Sequence, residues 1–251
     1  MTGTIGRNLE RLYPEICAGG FTRADGTVEF YGRVNALLEP HFTVLDLGAG
    51  RGGQLLDHAG SWRTGLCTLK GKVARVVGAD IDEAVLENPF LDEARIIAVG
   101  EPWPFADDSF DLIMADWVLE HVANPAEFAA EVRRVLKPGG WFCARTPNRW
   151  GIVGIGANLV PNRLHTRVLA RLQPDRKEID VFPTAYRLNT RRQIRQHFGP
   201  GAWDDFSYVG NAEPPYVQTS RVAMHLVNLY WRFTPAALHT VLNVFLRAGP
   251  K

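Results

Sequence analysis

The chain has 251 residues, 46% of them apolar and 22% charged, which excludes a disordered, fibrous or largely membrane-embedded protein. That length accommodates one large α/β domain with an inserted or appended lobe. The formal charge is only +1, yet residues 1–150 hold 15 basic and 21 acidic side chains, a net of −6, and residues 151–251 hold 13 and 6, a net of +7. Such asymmetry suits an anionic substrate or surface near the C-terminal part, or simply attraction between the two halves.

Cys17, Cys67 and Cys143 are widely spaced and form no C-x-x-C pair, so neither a disulfide framework nor a zinc site is expected, and no metal is assigned. Residues 1–12 carry Arg7, Glu10 and Arg11 without an apolar run, so no signal peptide is expected; a cytoplasmic protein follows.

Residues 1–42 read as a helical lead-in, with apolar Phe30, Val34, Leu37 and Leu38 at helical spacing. Phe30 and Tyr31 either pack in the core or reach a cofactor. The organising stretch is Val44-Leu45-Asp46-Leu47-Gly48-Ala49-Gly50-Arg51-Gly52-Gly53: a buried strand, an acid at its end, then four glycines in six positions before a helix opens at Gln54. Strand, glycine turn and helix N-terminus together make a nucleotide-binding corner, where the ligand lies against main chain.

Two frames fit. Gly48, Gly50 and Gly53 satisfy the dinucleotide spacing G-x-G-x-x-G. Asp46 with Gly48, Gly50 and Gly52 gives the acid-x-G-x-G-x-G pattern of S-adenosylmethionine (SAM) sites. Asp46 tips the balance, because an acid repels a pyrophosphate and attracts the ammonium and sulfonium of SAM.

A second strand, Val73–Asp80, ends in a carboxylate suited to ribose hydroxyls. Asp80 lies 30 residues beyond Gly50, further than the usual spacing of roughly 20, and a surface insertion over Ser61–Lys70 accounts for the excess. Strands over Ala94–Val99 and Leu112–Ala115 follow. A helix spans Pro125–Leu136, Pro138-Gly139-Gly140 stops it, and Trp141–Arg145 is the fifth strand. Strands alternating with helices predict a parallel, doubly wound sheet that binds ligands at its C-terminal edge.

Four segments in this order, VLDLGAGRGG, VVGADID, PFADDSFDLIMADWVLEHV and LKPGGWFCARTPN, are similar to those of class I SAM-dependent methyltransferases of the small-molecule type, which include quinone-biosynthesis enzymes. The resemblance implies a Rossmann-like, doubly wound, seven-stranded, mostly parallel sheet whose last strand is antiparallel. It implies one methyltransferase domain over 1–251, with a SAM-binding core at 43–148, a helical substrate-side insertion at 149–190 and a C-terminal part at 191–251. By the same resemblance Asp46, Gly48, Gly50 and Gly52 hold the methionine portion of SAM and Asp80 the ribose. Ile81 packs on adenine, Glu101 meets the adenine edge, and Asp116 and Trp117 line the methionine side. The family's Glu-x-x-Glu-His metal pattern is broken here, because Trp117 stands in place of the first acid ahead of Glu120 and His121.

His121 and His165 are the candidate bases, and Asn148, Tyr186 and Arg187 the candidate acceptor-binding groups. Thr190 is the expected N-cap of a helix over Arg191–Phe198. The apolar stretch 222–246 reads as two helices broken near Pro235, packed on the domain, pairing with another subunit or lying peripherally on a membrane. The function expected is methyl transfer to a small-molecule or lipid-linked acceptor, at oxygen; the alternatives are a non-catalytic SAM-fold binding protein and an NAD(P)-dependent oxidoreductase. No nucleic-acid partner is expected, because Asp116-Trp117-Val118-Leu119 stands where amino-methylating DNA enzymes carry Asn/Asp-Pro-Pro-aromatic.

Overall fold

The computed structural model of the protein describes residues 4–56, 60–151, 184–212 and 220–251. It divides into two compact units, one of Glu29–Thr146, Thr184–Tyr208 and Leu242–Lys251, the other of Met1–Val28, Pro147–Pro183 and Val209–Val241. The expected lead-in over 1–42 is thus shared between the two.

The larger unit is built on β1 (Thr43–Leu47), β2 (Arg75–Asp80), β3 (Glu93–Ile96), β4 (Phe110–Asp116), β5 (Leu136–Pro147), β6 (Trp203–Asp205) and β8 (Val241–Ala248), in the spatial order β3-β2-β1-β4-β5-β8-β6. A short eighth strand, β7 (Tyr208–Gly210), also pairs with β8. Pairing is parallel between β1 and β2, β1 and β4, β2 and β3, and β4 and β5, and antiparallel between β6 and β8. The chain leaves β1 outward through β2 and β3, then returns to the other side of β1 as β4. That reversal is the switch point where open α/β sheets bind ligands.

Helix α2 (Gly26–Leu37) starts where the Asp25 carboxylate accepts the Thr27 and Val28 N–H groups, both at 3.0 Å. It buries Phe30 and Val34 of the predicted stripe, and Tyr31 beside them, while Leu37 and Leu38 are partly buried. Helix α3 (Gly53–Leu56) opens directly after the glycine turn. Helix α5 (Pro125–Val135) ends one residue before β5, and α6 (Arg191–His197) is capped by Thr190, whose hydroxyl accepts the Gln193 N–H at 3.1 Å.

Three expectations are corrected. Ser61–Lys70 is not a surface insertion: Ser61 caps α4 (Trp62–Cys67), and Cys67 and Leu69 lie in the main core with Phe30, Val44 and Leu112. The fifth strand begins at Leu136 rather than Trp141. Leu136 pairs with Phe110 and Trp141 with Leu112, so Lys137 to Gly140 form a bulge within the strand instead of a stop before it. Finally, the second expected C-terminal helix is β8. Its residues Val241 to Leu246 are all nearly inaccessible, a continuous buried run that a strand covered on both faces requires and an amphipathic helix does not.

In the smaller unit, α1 (Thr4–Leu12) and a 3-10 turn at Pro14–Cys17 supply Leu9, Tyr13 and Ile16 to a cluster with Met224 of α7 (Arg221–Phe233). The Tyr13 hydroxyl donates to Asn228 Oδ1 at 2.6 Å. Among the described residues no helix is long and apolar enough to cross a membrane.

Candidate active site

The two glycine frames separate in the backbone. Gly48, Gly50 and Gly52 have φ of 75°, 47° and 71°, the left-handed region that favours glycine, whereas Gly53 opens α3 outside it. A Cβ at Gly48 would meet Val118 Cγ2 at 2.3 Å, and one at Gly52 would meet Asn88 Oδ1 at 2.8 Å. At Gly53 the nearest atoms it would meet belong to the flexible Arg51 side chain, Nε at 3.1 Å. The turn is therefore built on the alternate glycines.

Two side chains fix its shape. Asp80 Oδ2 accepts the Gly50 N–H at 2.8 Å, while its Oδ1 accepts the Asp82 N–H at 3.0 Å. Asn88 donates to the Ala49 and Gly50 carbonyls, both at 3.0 Å. Asn88 was invisible in the sequence, since it belongs to a loop beyond β2 and reaches the turn only through the fold.

Three carboxylates gather at the ends of adjacent strands. Asp46 of β1 lies level with Gly78 of β2 and Met114 of β4, and Asp80 and Asp116 sit two residues further along those strands. Burial, then Asp116 and Asp80, push the Asp46 carboxyl up to about 7. Arg145, level with Asp116 on β5 and only 4% exposed, donates to both Asp116 oxygens at 2.7 Å. Burial opposes the guanidinium charge, but Asp116 outweighs it and raises the Arg145 pKa. The ring faces of Trp117, Phe30 and Tyr31 surround that guanidinium at 4.9, 5.3 and 5.9 Å.

Tyr31 donates its hydroxyl to Asp116 Oδ2 at 3.3 Å, and burial followed by Asp116 raises its pKa well above the usual value, so it stays a donor. Among the described residues no ion pair joins a basic side chain to Asp46 or Asp80, whereas Asp116 is paired with Arg145. Arg145 was the residue missed; an arginine closing an apolar strand was its only sequence signal.

Trp117 follows Asp116 with φ of 59°, an uncommon conformation for an aromatic residue, and its N–H donates to the Arg145 carbonyl at 2.8 Å. The chain then makes a 3-10 turn at Leu119–His121. The Glu120 carbonyl accepts the N–H groups of Ala185 and Tyr186 at 2.7 and 3.1 Å, and Arg187 donates to the Ala123 carbonyl at 2.7 Å. His121, Tyr186 and Arg187 therefore share one corner. The Glu120 carboxylate is buried and accepts the Thr146 hydroxyl at 2.9 Å.

Ile81 is 50% exposed, and Glu101 is exposed on a turn after β3. Asn148 belongs to the smaller unit, where its amide donates to the Ala237 and His239 carbonyls at 2.9 and 2.7 Å, a clamp on local chain rather than an open binding group. His165 lies outside the described residues.

A doubly wound sheet carrying an acid-flanked, alternate-glycine turn at its switch point is a Rossmann-like architecture. In agreement, residues 45–144 match a family model described as a methyltransferase domain. The chain is similar to a probable S-adenosylmethionine-dependent methyltransferase of Mycolicibacterium smegmatis, with 38% identity over 98 residues covering 38% of each protein. It is also similar to a ubiquinone biosynthesis O-methyltransferase of Albidiferax ferrireducens, with 34% identity over 128 residues covering 48% of this chain and 49% of that one. The chain spans less than half the length of these curated relatives. Among solved structures, a SAM-dependent methyltransferase of Thermotoga maritima, described as a possible histamine N-methyltransferase, superimposes with a TM-score of 0.53 over 99% of this chain and all of that one. At 12% identity it speaks for the fold alone.

Proposed function

We propose that the protein transfers the methyl group of SAM to an oxygen of a small-molecule or lipid-linked acceptor. The observation that carries this reading is the turn of left-handed Gly48, Gly50 and Gly52 set between the Asp46 and Asp80 carboxylates. At Gly50 the nearest atom to an added Cβ is Asp80 Oδ2 at 3.9 Å, so a ligand can lie against main chain there, and the acids suit a cation better than a pyrophosphate. Bound SAM supplies a methyl already activated by its sulfonium. Asp46 would attract its ammonium end, and Asp80 would accept its ribose hydroxyls. Asp116, neutralised by Arg145 and braced by Tyr31, holds the wall formed by Trp117 in place.

Methyl transfer from such a donor needs alignment more than covalent help, and orientation alone supplies roughly 7–11 kcal/mol in favourable cases. An oxygen acceptor also needs its proton removed. His121, in the corner shared with Tyr186 and Arg187, is the base we assign among the described residues; His165 is the second candidate. The name of the Albidiferax relative supports an oxygen acceptor.

The test is incubation with methyl-tritiated SAM and a panel of phenols with and without polyprenyl tails. Label should appear as an ether methyl, and His121→Ala should lower kcat by about a hundredfold or more while SAM affinity holds. Label on carbon or nitrogen contradicts the oxygen assignment. Undiminished turnover in the variant removes His121 from the chemistry.

A further inference from the structure

We propose that α7 docks the protein on an anionic lipid bilayer. Val222, Leu226, Leu229, Tyr230 and Phe233 are 69, 61, 53, 37 and 76% exposed. At about 100° per residue they form one stripe down the helix. The opposite face is already seated, with Met224 fully buried beside Leu9, Tyr13 and Ile16, and Asn228 bonded to the Tyr13 hydroxyl. Among the described residues, the stripe is thus the face left over after the helix has packed. It continues into the following turn, where Leu226, Leu229, Phe233, Pro235 and Leu238 border an open groove of ≈ 550 Å³.

Charge selects the occupant. Arg221, His225 and Arg232 are all exposed and project along one edge of the stripe, between it and the seated face. From Ser220 to Lys251 the chain carries Arg221, Arg232, Arg247 and Lys251 and no Asp or Glu. A second copy meeting this face through a two-fold axis would bring the same basic row against itself, with no acid in the segment to answer it. An anionic bilayer answers both features. Apolar side chains enter the boundary between headgroups and acyl chains, and the arginines extend to lipid phosphates. With 13 residues, α7 is roughly 20 Å long and lies along the surface rather than across it. This reading is independent of the chemistry proposed for the larger unit.

The test is flotation of the full chain with vesicles of phosphatidylcholine alone or mixed with phosphatidylglycerol, at low and high salt, beside light scattering to fix the oligomeric state. The chain should float with the anionic vesicles, at least about tenfold more weakly with the neutral ones, and salt should reduce the difference. Leu226→Asp and Phe233→Asp should abolish flotation, and Arg221→Gln with Arg232→Gln should weaken it by about thirtyfold at low salt. All these side chains are exposed, so thermal melting should be unchanged; Leu229→Asp serves in place of any variant that melts early. Failure of the wild type to float overturns the proposal, as does flotation indifferent to the aspartate variants or to the arginine pair. A dimer that Phe233→Asp splits, without vesicle binding, assigns the face to a second copy.

Discussion

Burying Asp46 among other acids costs the fold stability. Its carboxyl, ordinarily near 3.8, stands at about 7 in the folded chain, first through burial and then through Asp116 and Asp80. The folded protein therefore holds a proton that the unfolded chain gives up between those two values. Stability contributed at this residue falls as pH rises from about 4 to 7 and is level beyond. Asp46→Asn removes that dependence: its melting temperature should exceed the wild type's by a margin that widens up to pH 7 and then stays constant. The same substitution should abolish SAM binding, because the neutral amide no longer attracts a cation. In the wild type, SAM affinity should weaken as pH drops below 7, with release of one proton on binding, since the cation favours the ionised carboxylate. Calorimetry in buffers of different ionisation heat reads that proton. A pH-independent affinity would show that Asp46 does not face the cofactor.

At the scale of elements, β4 and β5 are joined at their ends by Asp116 and Arg145, level in the register and bonded through both carboxylate oxygens. Arg145→Met should cost about 3 kcal/mol in denaturant unfolding, mostly because Asp116 is left without its partner. Adding Asp116→Asn should recover part of that loss; a second, fully additive loss would contradict the pairing. The pair also marks where reading from sequence stopped. The glycine turn, the strands that end in Asp46, Asp80 and Asp116, the Thr190 cap and α2 were all legible, because each is written in consecutive residues. Arg145 against Asp116 and Asn88 against the turn depend on which strands become neighbours. The helix expected after Pro235 failed for another reason: a short continuous apolar run has no period of its own, and its burial in mid-sheet makes it β8. Likewise α4 looked like surface until Cys67 and Leu69 were seen in the core.

At the scale of the whole molecule, the sheet order β3-β2-β1-β4-β5-β8-β6 places the glycine turn and its acids at the reversal beside β1, so fold and candidate cofactor site are one construction. The groups proposed to choose an acceptor were far less legible. His121, Tyr186 and Arg187 converge through backbone hydrogen bonds that no motif records, while Asn148 is committed to local carbonyls. The measurement that bears most directly on the account is calorimetric titration of the full chain with SAM and, separately, with NADH, on wild type and on Asp80→Ala. SAM should bind one to one, Asp80→Ala should weaken it strongly, and NADH should give no binding heat. Binding of NADH in place of SAM, or SAM affinity indifferent to Asp80→Ala, would contradict the assignment of this corner.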